Sequence, residues 1–159
     1  MTQTEIRCSE LADAEEMAPH LRKADREEMA AVLGEDADPQ DVLRYGIEVS
    51  HQPFTALVDG KPICIFGAVM EPVQRHIAAI WMMGTPGVEE HKMFFLRHSK
   101  QCLDKLFEPF SLLWNCVDKR NELHIKWIKW LGFSFLREIS EYGEQGKPFL
   151  EFAKIKEDV

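Results

Sequence analysis

With 159 residues, 45% of them hydrophobic, the chain can bury one substantial core but not two, so 1–159 reads as a single domain. The formal net charge of −8 falls wholly on the N-terminal third, where residues 1–50 hold 13 Asp/Glu against 5 Lys/Arg, while residues 51–159 hold 14 of each. That balance repels phosphate backbones and argues against nucleic-acid binding; the acidic stretch reads as a solvated helix face that suits amines or basic protein segments.

Residues 5–8 predict a short strand. From Asp13 to Val32 apolar and charged residues alternate at helical spacing, predicting one amphipathic helix that Gly34 ends. Asp38-Pro39 is a helix start, with Asp as N-cap and Pro in the first turn, for a second helix reaching about Val49. Two apolar runs, 54–58 and 62–69, flank Asp59-Gly60, the signature of a hairpin turn whose central residues need positive φ. Residues 77–83 predict a third, almost wholly apolar strand, closed by Gly84-Thr85-Pro86-Gly87 before a helix over 88–107. Leu96, Ser99, Leu103 and Leu106 recur on one face of that helix, which should pack on the sheet. A buried strand over 111–117 and a helix over 121–131 follow, with Gly132 just past the helix end. Strands over 133–139 and 148–155 close the chain around the turn-rich residues 142–146. The whole is an α/β (α+β) order, expected to form a central mixed twisted sheet of about seven strands flanked by about four helices.

The first thirty residues sustain no apolar run, so no signal peptide is expected, and 63–70 is too short to span a bilayer. Cys8, Cys64, Cys102 and Cys116 are widely separated beside apolar stretches and read as reduced core residues. His91, His98 and Cys102 share helical spacing but lack the further ligands of a zinc site, so no metal is expected.

The element order and residues 117–133 resemble the GNAT (GCN5-related N-acetyltransferase) fold: Asn121 opens a helix, and Gly132-Phe133 follow eleven and twelve residues later. Leu113-Trp114-Asn115-Cys116-Val117, His124-Ile125-Lys126-Trp127 and Gly146-Lys147-Pro148-Phe149 resemble, more narrowly, the GNAT-like phage proteins called internal virion protein A. The narrower resemblance covers about half the chain, from residue 80 to 155. It implies a virion or assembly role, with phage structural or host proteins as partners and a place in the cytoplasm of the bacterial host or in the virion. The broader resemblance implies acetyl-CoA or another acyl-CoA as donor and an amine as acceptor. It also implies that strands 77–83 and 111–117 lie parallel and splay around the pantetheine arm, with Trp81, Met82, Met83, Gly84, Thr85, Gly87 and Asn121 as cofactor-binding positions.

Acyl transfer needs an anion cradle, a base for the amine and an acid for the thiolate. The family's Gln/Arg-x-x-Gly-x-Gly/Ala cradle is not matched at 83–90, where Pro86 removes a donor and Glu89 and Glu90 place carboxylates at the helix start. The family's acid, a Tyr seven residues after the helix-opening Asn, corresponds to Ile128; His124, one turn earlier, is the candidate substitute. Glu71, just before strand 77–83, is the candidate base. Lys119, Arg120, Lys126 and Lys129 could meet the adenosine phosphates or form a solvated basic face. Three functions remain open: an N-acetyltransferase with atypical residues, a virion or assembly protein that keeps the fold without the chemistry, and a binding module without turnover.

Overall fold

Asp59 and Gly60, at φ 50° and 77°, reverse the chain between β2 (His51–Val58) and β3 (Lys61–Met70), as the turn chemistry predicts. The computed structural model describes residues 1–157 and places that hairpin in a seven-stranded mixed sheet of order β1-β2-β3-β4-β5-β7-β6. Strand β1 (Thr4–Cys8) pairs antiparallel with β2, and β4 (Ile77–Gly84) antiparallel with β3. β5 (Leu112–Asp118) runs parallel to β4, as expected of strands joined by a helical crossover. β7 (Lys147–Ile155) lies between β5 and the edge strand β6 (Ser134–Tyr142), which includes Tyr142, a residue the sequence assigns to the turn.

The four expected helices become six, because two of them break. The stretch from Asp13 divides into α1 (Leu11–Met17), a 3-10 turn over Ala18–His20 and α2 (Lys23–Leu33). Pro19 lacks the N–H that would continue the ladder, and Leu21 and Arg22 take extended ψ values of 146° and 143°. α3 (Pro39–Val49) starts as predicted, the Asp38 carboxylate accepting the Gln40 N–H at 3.1 Å. The crossover breaks at His91 (φ −118°, ψ 35°) into α4 (Gly87–Glu90) and α5 (Lys92–Phe107), and α6 (Glu122–Trp130) ends at Gly132, whose φ is +89°.

Two layers of helix enclose the sheet. α1 to α3 pack Met17, Met29, Leu43 and Ile47 against Ile65, Trp81 and Met83 on one face; α5 and α6 cover Ile80, Leu113, Val117 and Phe152 on the other. Among the described residues no helix is long and apolar enough to cross a membrane. All four thiols are free, but Cys8 is exposed on the edge strand and so corrects the expectation of a core residue there. The acidic surface also needs correction, since Asp13 and Asp25 are buried. Arg7 grips Asp13 through two hydrogen bonds of 2.8 Å, and the Thr55 hydroxyl and Glu10 N–H donate to it too. Burial pushes that carboxyl up, but these donors outweigh it and hold it below the usual range.

Candidate active site

β4 and β5 pair only at Ile77–Leu112, Ala78–Leu113 and Ala79–Trp114, and then part. Asn115 stands where the ladder stops. Its Nδ2 donates to the Ile80 carbonyl at 2.6 Å and its Oδ1 accepts the Cys116 N–H at 2.7 Å, so a side-chain amide replaces the next strand-to-strand bond. A cavity of about 290 Å³ runs through the gap. Met82, Phe95, Leu103, Trp127 and Ile128 line it on the α5/α6 side, and Glu28, Met83, Cys116 and Tyr142 on the other.

The end of the gap is laced by the first turns of α2. The Arg22 N–H donates to the Gly84 carbonyl and the Gly84 N–H to Asp25 Oδ2, both at 2.9 Å, which occupies the free edge of β4 at its last residue. Across the gap, the N–H of Asp118 at the end of β5 donates to Glu28 Oε1 at 2.6 Å. Asp25 Oδ1 accepts from Arg22 Nη1 (3.0 Å) and Asn121 Nδ2 (3.1 Å) and lies 3.2 Å from His124 Nε2. One buried carboxylate thus ties α2 to β4 and α6.

Residues 84–91, where a pyrophosphate cradle would lie, use their own donors. The Thr85 N–H bonds the Ile63 carbonyl (2.9 Å), Gly87 N–H the Thr85 hydroxyl (3.2 Å) and Val88 N–H the Thr85 carbonyl (3.1 Å). The Glu89 and Glu90 N–H groups turn to the Pro86 carbonyl and that of His91 to Gly87, while Pro86 has none to offer. Glu89 itself holds Arg22 Nε at 3.1 Å, so the helix start already faces an internal carboxylate. Each backbone N–H from 84 to 91 thus has a protein acceptor.

Of the positions implied for a cofactor, Met82 faces the cavity from the α5/α6 side, Trp81 and Met83 pack toward α1 and α3, and the Trp81 indole donates to Ser50 Oγ at 2.7 Å. Gly84, Thr85, Gly87 and Asn121 belong to the internal network just described. His124 lines the cavity, yet it is buried against Asp25; burial lowers its pKa more than the Asp25 charge raises it, leaving a neutral imidazole. Glu71 lies outside the cavity, in a groove at the other end of the sheet, accepting from Trp114 Nε1 at 3.0 Å. Ile128 lines the cavity and offers no proton. Lys119 pairs with Glu138 at 2.7 Å and Arg120 with Asp118 at 2.7 Å, so neither is an idle phosphate ligand.

Glu28 and Tyr142 escape the sequence analysis. Burial, together with the Asp25 and Asp118 charges, pushes the Glu28 carboxyl up to about 8 against the Asp118 N–H that lowers it. Burial and the neighbouring Cys116 thiol push Tyr142 up to about 12. A signal existed for the first: Arg22, Asp25 and Glu28 recur every three residues just after Pro19, an ionisable stripe on a helix otherwise expected to face solvent. Asp25, Glu28 and His124 place ligand atoms within 4.8 Å of one another. A cation is disfavoured there, because Asp25 is already saturated by donors and the Arg22 guanidinium stands 3.0 Å from it.

No family model and no curated protein sequence matches the chain. Solved structures do. An acetyltransferase of the GNAT family from Streptococcus pneumoniae is 18% identical, with a TM-score of 0.67 over 97% of this chain and all of that one. The Salmonella typhimurium yncA protein, solved with its cofactor acetyl-CoA, is 12% identical, with a TM-score of 0.71 over 98% of this chain and 95% of that one. Ard1 from Thermoplasma volcanium is 15% identical, with a TM-score of 0.72 over 98% and 99%. Identities this low speak to architecture alone, and on architecture they agree: the chain has the GNAT fold.

Proposed function

We propose that this chain is a GNAT-fold protein that has given up acyl-CoA turnover and serves as a virion or assembly protein of a phage, made in the cytoplasm of the bacterial host. The observation that carries the loss of turnover is the cradle in which each N–H from 84 to 91 has an internal acceptor, reinforced by the Arg22–Glu89 pair at its mouth. A site without phosphate donors holds a nucleotide-bearing acyl donor poorly, and a fold alone confers no activity. The phage role rests on the resemblance of residues 113–133 to internal virion protein A. The exposed carboxylates Glu16, Asp36, Asp41 and Glu48 would steer the protein toward a basic surface on a phage structural or host partner. Quantitative mass spectrometry of purified particles and of assembly fractions from infected cells tests this: the protein should be enriched in one of them, and absence from both would overturn the role.

One observation favours a second reading, an active N-acetyltransferase acting on an amine of a small molecule or host protein. Glu28, with its carboxyl pushed up to about 8 beside the cavity, is basic enough when ionised to take a proton from the amine nitrogen as its lone pair attacks the acyl carbonyl. CoA-dependent acetylation of a defined amine, lost in Glu28→Gln, would establish this reading over the first.

A further inference from the structure

Tyr45 and Trp130 are the two exposed aromatic side chains among the described residues, at 66% and 48% exposure; every other Phe, Tyr and Trp is at least partly buried. They sit on opposite layers of the molecule, Tyr45 on α3 and Trp130 at the end of α6, and each is set among charges of one sign. On α3, Asp41, Tyr45 and Glu48 follow at spacings of four and three and form one outward stripe, while Leu43 and Ile47 face the core. The one cation of that helix, Arg44, is held by Glu15 at 2.8 Å, which leaves the stripe acidic. On the other layer, Lys100 Nζ stands 4.6 Å from the centroid of the Trp130 ring and so joins α5 to α6. Arg97 lies one turn before Lys100, and Lys126 one turn before Trp130, both exposed. Together α5 and α6 expose six Lys/Arg against two carboxylates, Asp104 and Glu122. Among the described residues, none of those six cations, nor Asp41 or Glu48, is in an ion pair.

We propose that a second copy of this chain covers these patches: the acidic α3 stripe of one copy docks on the basic α5/α6 patch of the next, with Tyr45 and Trp130 as the anchors. The charges choose the occupant. A two-fold contact of α3 on α3 would set carboxylate against carboxylate, and one of α5/α6 on α5/α6 would set cation against cation, whereas stripe and patch are complementary. Because the two lie on opposite faces of the sheet, a copy that has used its stripe still offers its patch, so the contact is head-to-tail and repeats from copy to copy. The proposal supplies a partner within the assembly reading and rests on that reading for its use alone: absence of the protein from particles would leave self-association untouched.

Sedimentation velocity of this chain tests it. From about 5 to about 500 µM at about 50 mM salt, the sedimentation coefficient should climb past that of a dimer, and association should be about tenfold weaker at about 500 mM salt. Tyr45→Ala with Glu48→Ala removes the stripe and Lys126→Ala with Trp130→Ala the patch, thermal melting checking that both proteins fold. Each double variant alone should stay a monomer. An equimolar mixture of the two should give a one-to-one dimer and nothing larger, because a single intact stripe then meets a single intact patch. A parent chain that is monomeric throughout, a dimer at which association saturates, association equally strong at high salt, or double variants that still self-associate would overturn the proposal. So would a mixture that stays monomeric while the parent associates.

Discussion

The loop after β4 and the gap between β4 and β5 are adjacent, yet they have diverged. In the loop, each N–H from 84 to 91 meets an internal acceptor, and Glu89 lies against Arg22. In the gap, three residue pairs hold the strands together and then a cavity of about 290 Å³ opens, lined largely by apolar side chains. The difference teaches that backbone donors can be fully engaged in one segment while the strands beside it part and leave open space. The loop's donors are engaged by its own carbonyls and the Thr85 hydroxyl, by Ile63 on β3 and by Asp25 on α2, whereas the parting of two strands is built into the sheet.

The sharpest way to break that comparison is at Asp25, which serves both regions. Asp25→Ala leaves the Arg22 charge, Asn121 and the Gly84 N–H without their buried partner, and should destabilise the fold by about 3–5 kcal/mol in denaturant melts. A loss under 1 kcal/mol would mean that the lacing is incidental. Gly84→Ala probes the loop side. A Cβ there would stand 2.5 Å from Val88 Cγ2 and 3.3 Å from the Ile63 carbonyl, and the substitution should lose about 1–3 kcal/mol.

On the gap side, Glu28 links stability to pH. Folded, it keeps its proton up to about pH 8, whereas its ordinary value is 4.5. Between those values the folded state binds more protons, so the contribution is full below 4.5 and is lost as pH rises through 8. Glu28→Gln keeps an oxygen for the Asp118 N–H and should leave stability unchanged at pH 4 while raising it by about 1–2 kcal/mol at pH 9. Equal stability of the two proteins at pH 9 would contradict the shifted carboxyl. The smallest expected effect is none: Ile128→Tyr supplies the missing acid in the cavity, but with the cradle closed, acetyl transfer to a panel of amines should stay at background. A tenfold rise would show that acid catalysis was the only part lost.

The sequence made local rules legible and long-range ones opaque. The hairpin at Asp59-Gly60, the Asp38 cap and the Gly132 stop follow from φ preferences and capping within four residues, and they stand where expected. The parallel pairing of β4 and β5, which the resemblance implied, agrees with the helical crossover that joins them. The break at Pro19 was in plain sight, but the amphipathic pattern on both sides overrode it, and with it went the turn that aims Arg22 and Asp25 at the gap. Asp25 meets Asn121 96 residues away and Glu28 meets Asp118 at 90, pairings that no periodicity encodes. His124 was legible as a polar residue on the right helix; its burial against Asp25 was not.

The measurement that bears most directly on the closed cradle is calorimetric titration of the full-length chain with acetyl-CoA at physiological salt, followed by a transfer assay on the same sample. With the donors of residues 84–91 already engaged, the dissociation constant should be tens of micromolar or weaker, with no acetyl transfer above background. A sub-micromolar constant accompanied by turnover would contradict the account.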